Sequence, residues 1–389
     1  MGDTQFHMRI RQSPGHHSLL PEHHMYNHKC PVYLQCNPGY YYGYVYFRQV
    51  KDKLLPRGYF QKSVVIISRL PFIRLFTEVC ALIAPEFFEN GEPSIEAACH
   101  DIDHWPWPDP GETFNLPLLG TILQTQIPAQ TSKVCNSPQV SSNGSSCITS
   151  LRGEPLVGML PVMLPSVHEI NLFRCFFSLI SHIHLLWELV LTAEPIVVMA
   201  ASPNTCSEMV QALVSMVVPL MYCADYRPYF TIHDSEFKEY TTRAHAPPPV
   251  ILGAAPTPRP FNPDDFVATL GTSGPQLTTG IKGDWVGLYR RFFRSPNFSG
   301  WFNARYREVS QKLQALQLEA LSDADVKMWV QGKQEVEVVD MILRIRQKLE
   351  ESELEELHLS DATRNQLKSR MADIIYTLPE DLKTVLKTS

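Results

Sequence analysis

Hydrophobic and polar positions fall into distinct textures along the 389-residue chain. The first is strict alternation. Over Thr4–Arg11, Phe6, Met8 and Ile10 are set against His7, Arg9 and Arg11, the period of a half-buried strand. Two further strands, 42–50 and 59–68, form a hairpin around residues 51–58. The period then changes. Phe72, Leu75, Phe76, Val79, Cys80 and Ile83 share one side of a helix over 71–84, which Pro85 closes. Three strands and one packed helix make a small α+β module with an incomplete sheet.

The second texture is denser. Leu185, Leu186, Leu189 and Val190 fall at helical spacing, and after Pro195 the run Ile196-Val-Val-Met-Ala200 is unbroken. A strand apolar on both faces belongs in a parallel sheet covered by helices. Ser202 then caps a helix with Pro203 at its first position. Cys206, Met209, Val210, Leu213, Val214 and Val217 form that helix's buried stripe, and Pro219 ends it. A second strand covers 227–233. The expected unit is a right-handed βαβ crossover, within an α/β module that also takes a strand at 156–164 and a helix at 170–181. Ligands and partners of such sheets meet the carboxyl ends of the strands. Here those ends are Ala200-Ala-Ser202 and His233-Asp-Ser-Glu236.

Between these modules, 89–113 reads as a linker around Trp105-Pro-Trp-Pro-Asp-Pro-Gly111 that docks its indoles on a domain. Residues 116–127 suit a strand, and 129–153 a polar loop. After Gly253, the proline-rich 254–263 excludes regular structure. From Pro263 onward the pattern is helical, with helices near 284–294, 301–320, 322–331, 334–352, 360–377 and 379–387. Ser322-Asp-Ala-Asp325 has the form of a capping box.

Composition changes the picture only by exclusion. The net charge of −6 argues against a general nucleic-acid binder. Nine cysteines, an odd number without a CxxC pair, fit reduced core thiols in a cytosolic protein better than a disulfide framework. The most hydrophobic stretch, 170–200, is interrupted by Arg174, His182, His184, Glu188, Glu194 and Pro195, so a membrane span is rejected.

Candidate chemistry is sparse. His16, His17, His23, His24, His28 and Cys30 match no zinc-finger or knuckle spacing and read as a solvated loop, so no metal or other cofactor is assigned. Asp101, Asp103, His104 and Asp109 sit in a stretch better explained as the rigid linker. His233-Asp-Ser-Glu236 holds the letters of a hydrolase triad, but consecutive strand residues point to opposite faces and cannot relay to one another. The chain has no GxSxG elbow, no GxGxxG and no P-loop. A protein-binding edge and simple loop capping both fit 233–236. Lys282, Arg290, Arg291, Arg294, Arg305 and Arg307 lie among Trp285, Tyr289, Phe292, Phe293 and Trp301. That cluster suits either an anionic membrane surface or a solvated face whose arginine stems cover aromatic rings.

Four stretches carry a resemblance. They are Tyr42-Gly-Tyr-Val-Tyr-Phe-Arg48 with Arg57-Gly-Tyr-Phe-Gln-Lys-Ser63, then Glu96-Ala-Ala-Cys99 with Trp105-Pro106. The third is Arg227-Pro-Tyr-Phe-Thr-Ile-His-Asp-Ser-Glu-Phe-Lys-Glu-Tyr-Thr-Thr-Arg243. The fourth is Ile281-Lys-Gly-Asp-Trp285 with Ser295-Pro-Asn-Phe298. Together they resemble the DENN domain-containing protein 6 family of Rab guanine-nucleotide exchange factors, over nearly the whole chain. The resemblance implies a partial longin-like module at 1–88 and a linker and mobile loop at 89–154. It further implies an incomplete central α/β DENN module with a mostly parallel sheet at 155–253, a junction at 254–263 and an all-α part at 264–389. It implies release of GDP from a Rab GTPase without covalent catalysis, in the cytoplasm and at recycling endosomes through peripheral membrane association. The alternative is a Rab-binding scaffold.

Against that family pattern, strands that precede Thr4 are missing, and 254–273 replaces a longer segment. The chain is therefore expected to be a shortened form with impaired exchange. Position at a strand end nominates Asp225, Arg227, Tyr229, His233, Asp234, Glu236 and Tyr240 as Rab-facing.

Overall fold

The computed structural model describes residues 2–13, 19–130, 161–231, 233–234, 236, 240, 248–254, 268–271, 274–277, 284–324, 328, 330–354, 361–379 and 382–383. It comprises two compact units, Met1–Gly300 and Trp301–Ser389.

The first unit opens on an antiparallel sheet ordered β1 (Asp3–Arg11), β2 (Tyr40–Lys51), β3 (Tyr59–Ser68). Alternation marks β1 as a strand, yet its polar side is the buried one. His7 and Arg9 are 3% and 8% exposed, while Phe6, Met8 and Ile10 are half-buried. The register supplies the reason. His7 stands opposite Tyr44 and Arg9 opposite Tyr42, and opposed residues share a face. That face of β2 is a row of buried tyrosines, Tyr42, Tyr44 and Tyr46. Their rings cover apolar stems and their hydroxyls tolerate polar neighbours.

Part of the histidine-rich stretch is ordered. Helix α1 (Pro21–Lys29) buries Tyr26, and Cys30 follows it into the core. His16 and His17 lie outside the described residues. Helix α2 (Ile73–Asn90) does not stop at Pro85 but runs through it. Proline costs a helix one hydrogen bond. Beyond it, Phe88 packs against Tyr46 and Phe60, and that burial carries the helix onward.

Residues 89–113 are not a plain linker. Gly91, at φ 76, ends α2 and admits α3 (Glu92–Asp103) directly. A tight hairpin follows, β4 (Thr113–Leu118) and β5 (Thr121–Gln126). Its turn holds Leu119 at φ 47, and the Asp101 carboxylate accepts the Leu119 N–H at 2.8 Å. Ala98, Leu116, Leu118 and Leu123 share one core with Tyr26, Leu34, Phe72, Leu75 and Val79. The indole of Trp105 docks as expected, donating to the Pro117 carbonyl at 2.8 Å. Of the strand expected at 156–164, residues 161–164 fall among the described ones, and β6 (Val162–Met163) is the strand they form. It pairs with β5, not with the central sheet.

The central sheet has the order β11-β10-β7-β9-β8. Strands β7 (Ile196–Met199), β8 (Asp225–Phe230), β9 (Val250–Ala254) and β10 (Ala268–Gly271) are parallel, and β11 (Gly274–Leu277) is antiparallel at the edge. Two-sided burial of β7 is realised. Ile196 and Val198 enter a core with Leu186, Leu189, Val210 and Leu213, while Val197 enters another with Phe230, Val250 and Leu252. Fully burying each such side chain stabilises the fold by about 1.5–3 kcal/mol.

Helix α6 (Pro203–Ser215) follows β7, and the Ser202 hydroxyl accepts the Thr205 N–H at 3.2 Å. The crossover skips a place, because β9 lies between β7 and β8. Where β8 slips register between Arg227 and Phe230, Gly253 approaches so closely that a Cβ there would lie 2.2 Å from the Pro228 carbonyl. Residues 170–181 form α4 (Leu172–Phe176) and a 3-10 turn, and α5 (Ile183–Leu191) completes the approach to β7. The stretch Leu172–Leu191 is apolar enough by composition to cross a membrane. Its second half gives Leu186, Leu189 and Val190 to the core instead.

The sheet therefore continues past the proline-rich junction, and the expectation of helix alone after 263 is corrected. Pairing with β7 completes hydrogen bonds that an edge strand would leave open. Helix α7 (Trp285–Arg294) and the first turn of α8 (Pro296–Asp323) close this unit. Asn297, fully buried, donates to the Val190 and Leu191 carbonyls at 2.9 and 3.0 Å and accepts the Cys223 N–H at 2.8 Å.

The second unit packs the rest of α8 with α9 (Glu335–Leu354) and α10 (Asp361–Thr377). Leu318, Ile345, Leu349 and Leu367 form one layer, and Val338, Ile342, Ile374 and Leu378 another. Ser322 starts no helix. It lies in the last turns of α8, where its hydroxyl donates to the Glu319 carbonyl at 2.7 Å.

Candidate functional site

The site follows from where β8 lies. As an edge strand it faces β1, and the two edges meet through side chains. The Asp225 carboxylate is the hub. One oxygen accepts from the Arg9 guanidinium at 3.2 Å, the Tyr40 hydroxyl at 3.0 Å and the Tyr226 N–H at 2.9 Å. The other accepts from Arg227 Nε at 3.1 Å and the Tyr240 hydroxyl at 2.9 Å. Arg227 also donates to the Arg9 carbonyl at 3.2 Å and to Glu236, and Glu236 pairs with Arg11 at 3.1 Å. The Arg9 guanidinium lies between the Tyr40 and Tyr226 rings, at 3.5 and 4.0 Å from their centroids.

This arrangement neutralises buried charge. The Arg9 and Arg227 side chains are 5% and 7% exposed, and Asp225 is 18% exposed. Cations so buried need carboxylates and ring faces around them. Burial and the nearby Asp225 raise the Tyr240 phenol. Burial raises Tyr40, against the pull of Arg9. Both therefore remain protonated donors to the hub.

Four of the nominated residues, Asp225, Arg227, Glu236 and Tyr240, thus meet in a buckle between two sheets. Tyr229 is half-buried and packs against Phe6, with ring centroids 4.6 Å apart and planes tilted by 52°. His233 and Asp234 are exposed. Asp234 accepts from the Thr231 N–H and hydroxyl at 2.6 and 2.9 Å, which is turn capping at the strand's carboxyl end. Ser235 lies outside the described residues. Sequence reasoning missed Arg9, Arg11 and Tyr40. The alternation placed the two arginines on a solvent face, and no local signal links positions 185 to 225 residues apart.

The remaining candidates do not converge. His104 Nδ1 contacts the His100 carbonyl at 2.6 Å, Asp109 pairs with Lys29 at 3.0 Å, and Asp101 is committed to the hairpin turn. Among the described residues, no cluster of three His, Cys, Asp or Glu side chains is arranged to hold a metal. A polar cleft of about 460 Å³ lies at the carboxyl end of β7, lined by Asp3, Thr4, Gln5, Tyr46, Ser202 and Asn204.

What the geometry leaves is a two-sheet platform held by a charged buckle. Comparison with known proteins decides its kind. The chain is 38% identical to protein DENND6B of Mus musculus over 504 aligned positions, covering 99% of this chain and 84% of the relative. It is 39% identical to protein DENND6A of Gallus gallus, covering 99% and 85%. The chain belongs to the DENND6 family. The model of the DENND6 C-terminal domain matches residues 326–389, most of the second unit. The DENND6 homolog of Dictyostelium discoideum is 38% identical over 241 positions, covering 54% of this chain and 32% of that protein. The 504 positions aligned with the mouse relative exceed this DENND6 chain's 389 residues, so the relative carries residues with no counterpart here.

Proposed function

We propose that this chain is a DENN-type regulator that promotes GDP release from a Rab GTPase on endosomal recycling membranes. The observation that carries the reading is family identity spread over 99% of the chain. On this reading β1–β3 with α2 is the longin-like module and the β7–β11 sheet the DENN module. The Arg9–Asp225–Arg227–Glu236 buckle holds the two in register. The buckle residues act by fixing β8 against β1, while exposed His233 and Asp234, with Tyr229, face the Rab.

No covalent step is required. A regulator that binds the switch segments in a conformation unable to hold nucleotide phosphates and magnesium couples its own binding negatively to that of nucleotide. Linkage makes the coupling reciprocal. The residues of the mouse protein that have no counterpart here favour a second reading, a scaffold that binds a Rab without releasing nucleotide.

Release of a fluorescent GDP analogue from a panel of Rab GTPases tests both. Acceleration by this chain supports exchange. Binding of nucleotide-free Rab without acceleration supports the scaffold. Silence on both counts, in a folded protein, overturns the proposal.

A further inference from the structure

Helix α7 (Trp285–Arg294) is built differently on each of its sides. Its inner side is fixed. Leu288 is buried, and Arg291 reaches to 3.9 Å from the buried Glu188. Ser295 and Asn297 are buried just beyond its end. The outer side is apolar. Trp285, Val286, Tyr289 and Phe293 are 55%, 61%, 58% and 57% exposed. With 3.6 residues per turn they fall within an arc of about 100°. Arg290 and Arg294 run along one border of that arc, exposed, and among the described residues neither pairs with a carboxylate. The helix WVGLYRRFFR has arginines and no acidic residue, in a chain whose net charge is −6.

We infer that the outer face of α7 docks on an anionic phospholipid bilayer. The inference rests on the peripheral-membrane part of the proposed function, not on its exchange part. Charge selects this occupant. A negatively charged surface repels the chain as a whole and attracts it at this helix, so binding also sets orientation. The side chains match the depth of such a surface. Indole and phenol groups prefer the headgroup level, Val286 and Phe293 enter the acyl boundary, and flanking arginines reach the phosphates. The inner contacts keep the helix on the fold while its outer face is immersed.

The test uses the full chain with phosphatidylcholine vesicles, plain or mixed with phosphatidylserine. Co-sedimentation is expected with the mixed vesicles, weakening as salt rises. Brominated lipid is expected to quench a fraction of the tryptophan emission that disappears in Trp285→Phe. Arg290→Glu with Arg294→Glu is expected to weaken partitioning about tenfold or more, and Val286→Ser with Phe293→Ser similarly. All four sites are exposed, and circular dichroism checks that the variants fold.

Unchanged binding by both double variants, or bound protein without quenching of Trp285, overturns the inference and leaves membrane association standing. Failure of the parent chain to bind mixed vesicles overturns both. Self-association that shields Trp285 without lipid overturns the inference in favour of a second copy. Nucleotide release measured without lipid reads the exchange proposal separately.

Discussion

Asp225→Ala tests the buckle most directly. The substitution removes an acceptor shared by two buried guanidinium groups and two phenols. At 3.2 Å the attraction between Arg9 and Asp225 is about 5 kcal/mol at an effective dielectric of about 20. The gross loss exceeds the net loss, because Arg227 keeps Glu236 and Arg9 keeps its two tyrosine rings. Water entering beside the partly exposed hub recovers more. Removing one partner of a buried pair costs about 3–5 kcal/mol, and we expect that range.

Hydrogen exchange read by mass spectrometry locates the effect. Amides of β1 and β8 should lose protection by about two orders of magnitude or more, since 1.36 kcal/mol is a factor of ten. Lys29→Ala serves as the control. It removes a pair with Asp109 whose side chains are 58% and 53% exposed, and should cost under about 1 kcal/mol. A loss below about 1 kcal/mol for Asp225→Ala, or one not concentrated at β1 and β8, refutes the account of the buckle.

Other outcomes follow from single contacts. Gly253→Ala forces a Cβ against the Pro228 carbonyl, so β8 and β9 must separate, and denaturant unfolding should show a loss of about 3 kcal/mol. Asn297→Ala strands the Cys223 N–H and removes a donor from two carbonyls, for about 3 kcal/mol by the same measurement. Asn297→Asp should be no milder, because it turns a carboxylate toward those carbonyls.

His7 makes stability depend on pH. Burial, helped by nearby His168, lowers its folded pKa to about 3 from 6.5. Below the unfolded value the unfolded chain binds a proton that the folded chain refuses, so stability falls as pH drops from about 6.5 toward 3. About 2 kcal/mol should be lost by pH 5. His168, lowered chiefly by burial, adds in the same direction. His7→Leu should shrink the difference in unfolding midpoint between neutral pH and pH 5.

What the sequence determined by itself was local. The unbroken apolar run Ile196–Ala200 after Pro195 is what a strand covered on both faces requires, and Ser202-Pro203 suits the start of a helix, so β7 and α6 were legible without coordinates. The stripe of α2 was legible too, although its end was not. Passage through Pro85 depends on Phe88 reaching Tyr46 and Phe60, which lie in strands far along the chain. Family membership was likewise legible, because sequence motifs can be read without knowing their arrangement in space.

Tertiary structure alone decided which side of β1 is inside, since alternation gives two faces and does not say which meets a neighbour. A row of tyrosines on β2 and a carboxylate on β8 made the polar face the better one to bury. It also decided that Asp225, Arg227, Glu236 and Tyr240 serve a junction, while His233 and Asp234 remain exposed at the strand end. Charge neutralisation acts through space, between groups that the chain holds more than two hundred residues apart, and no spacing along the sequence encodes it.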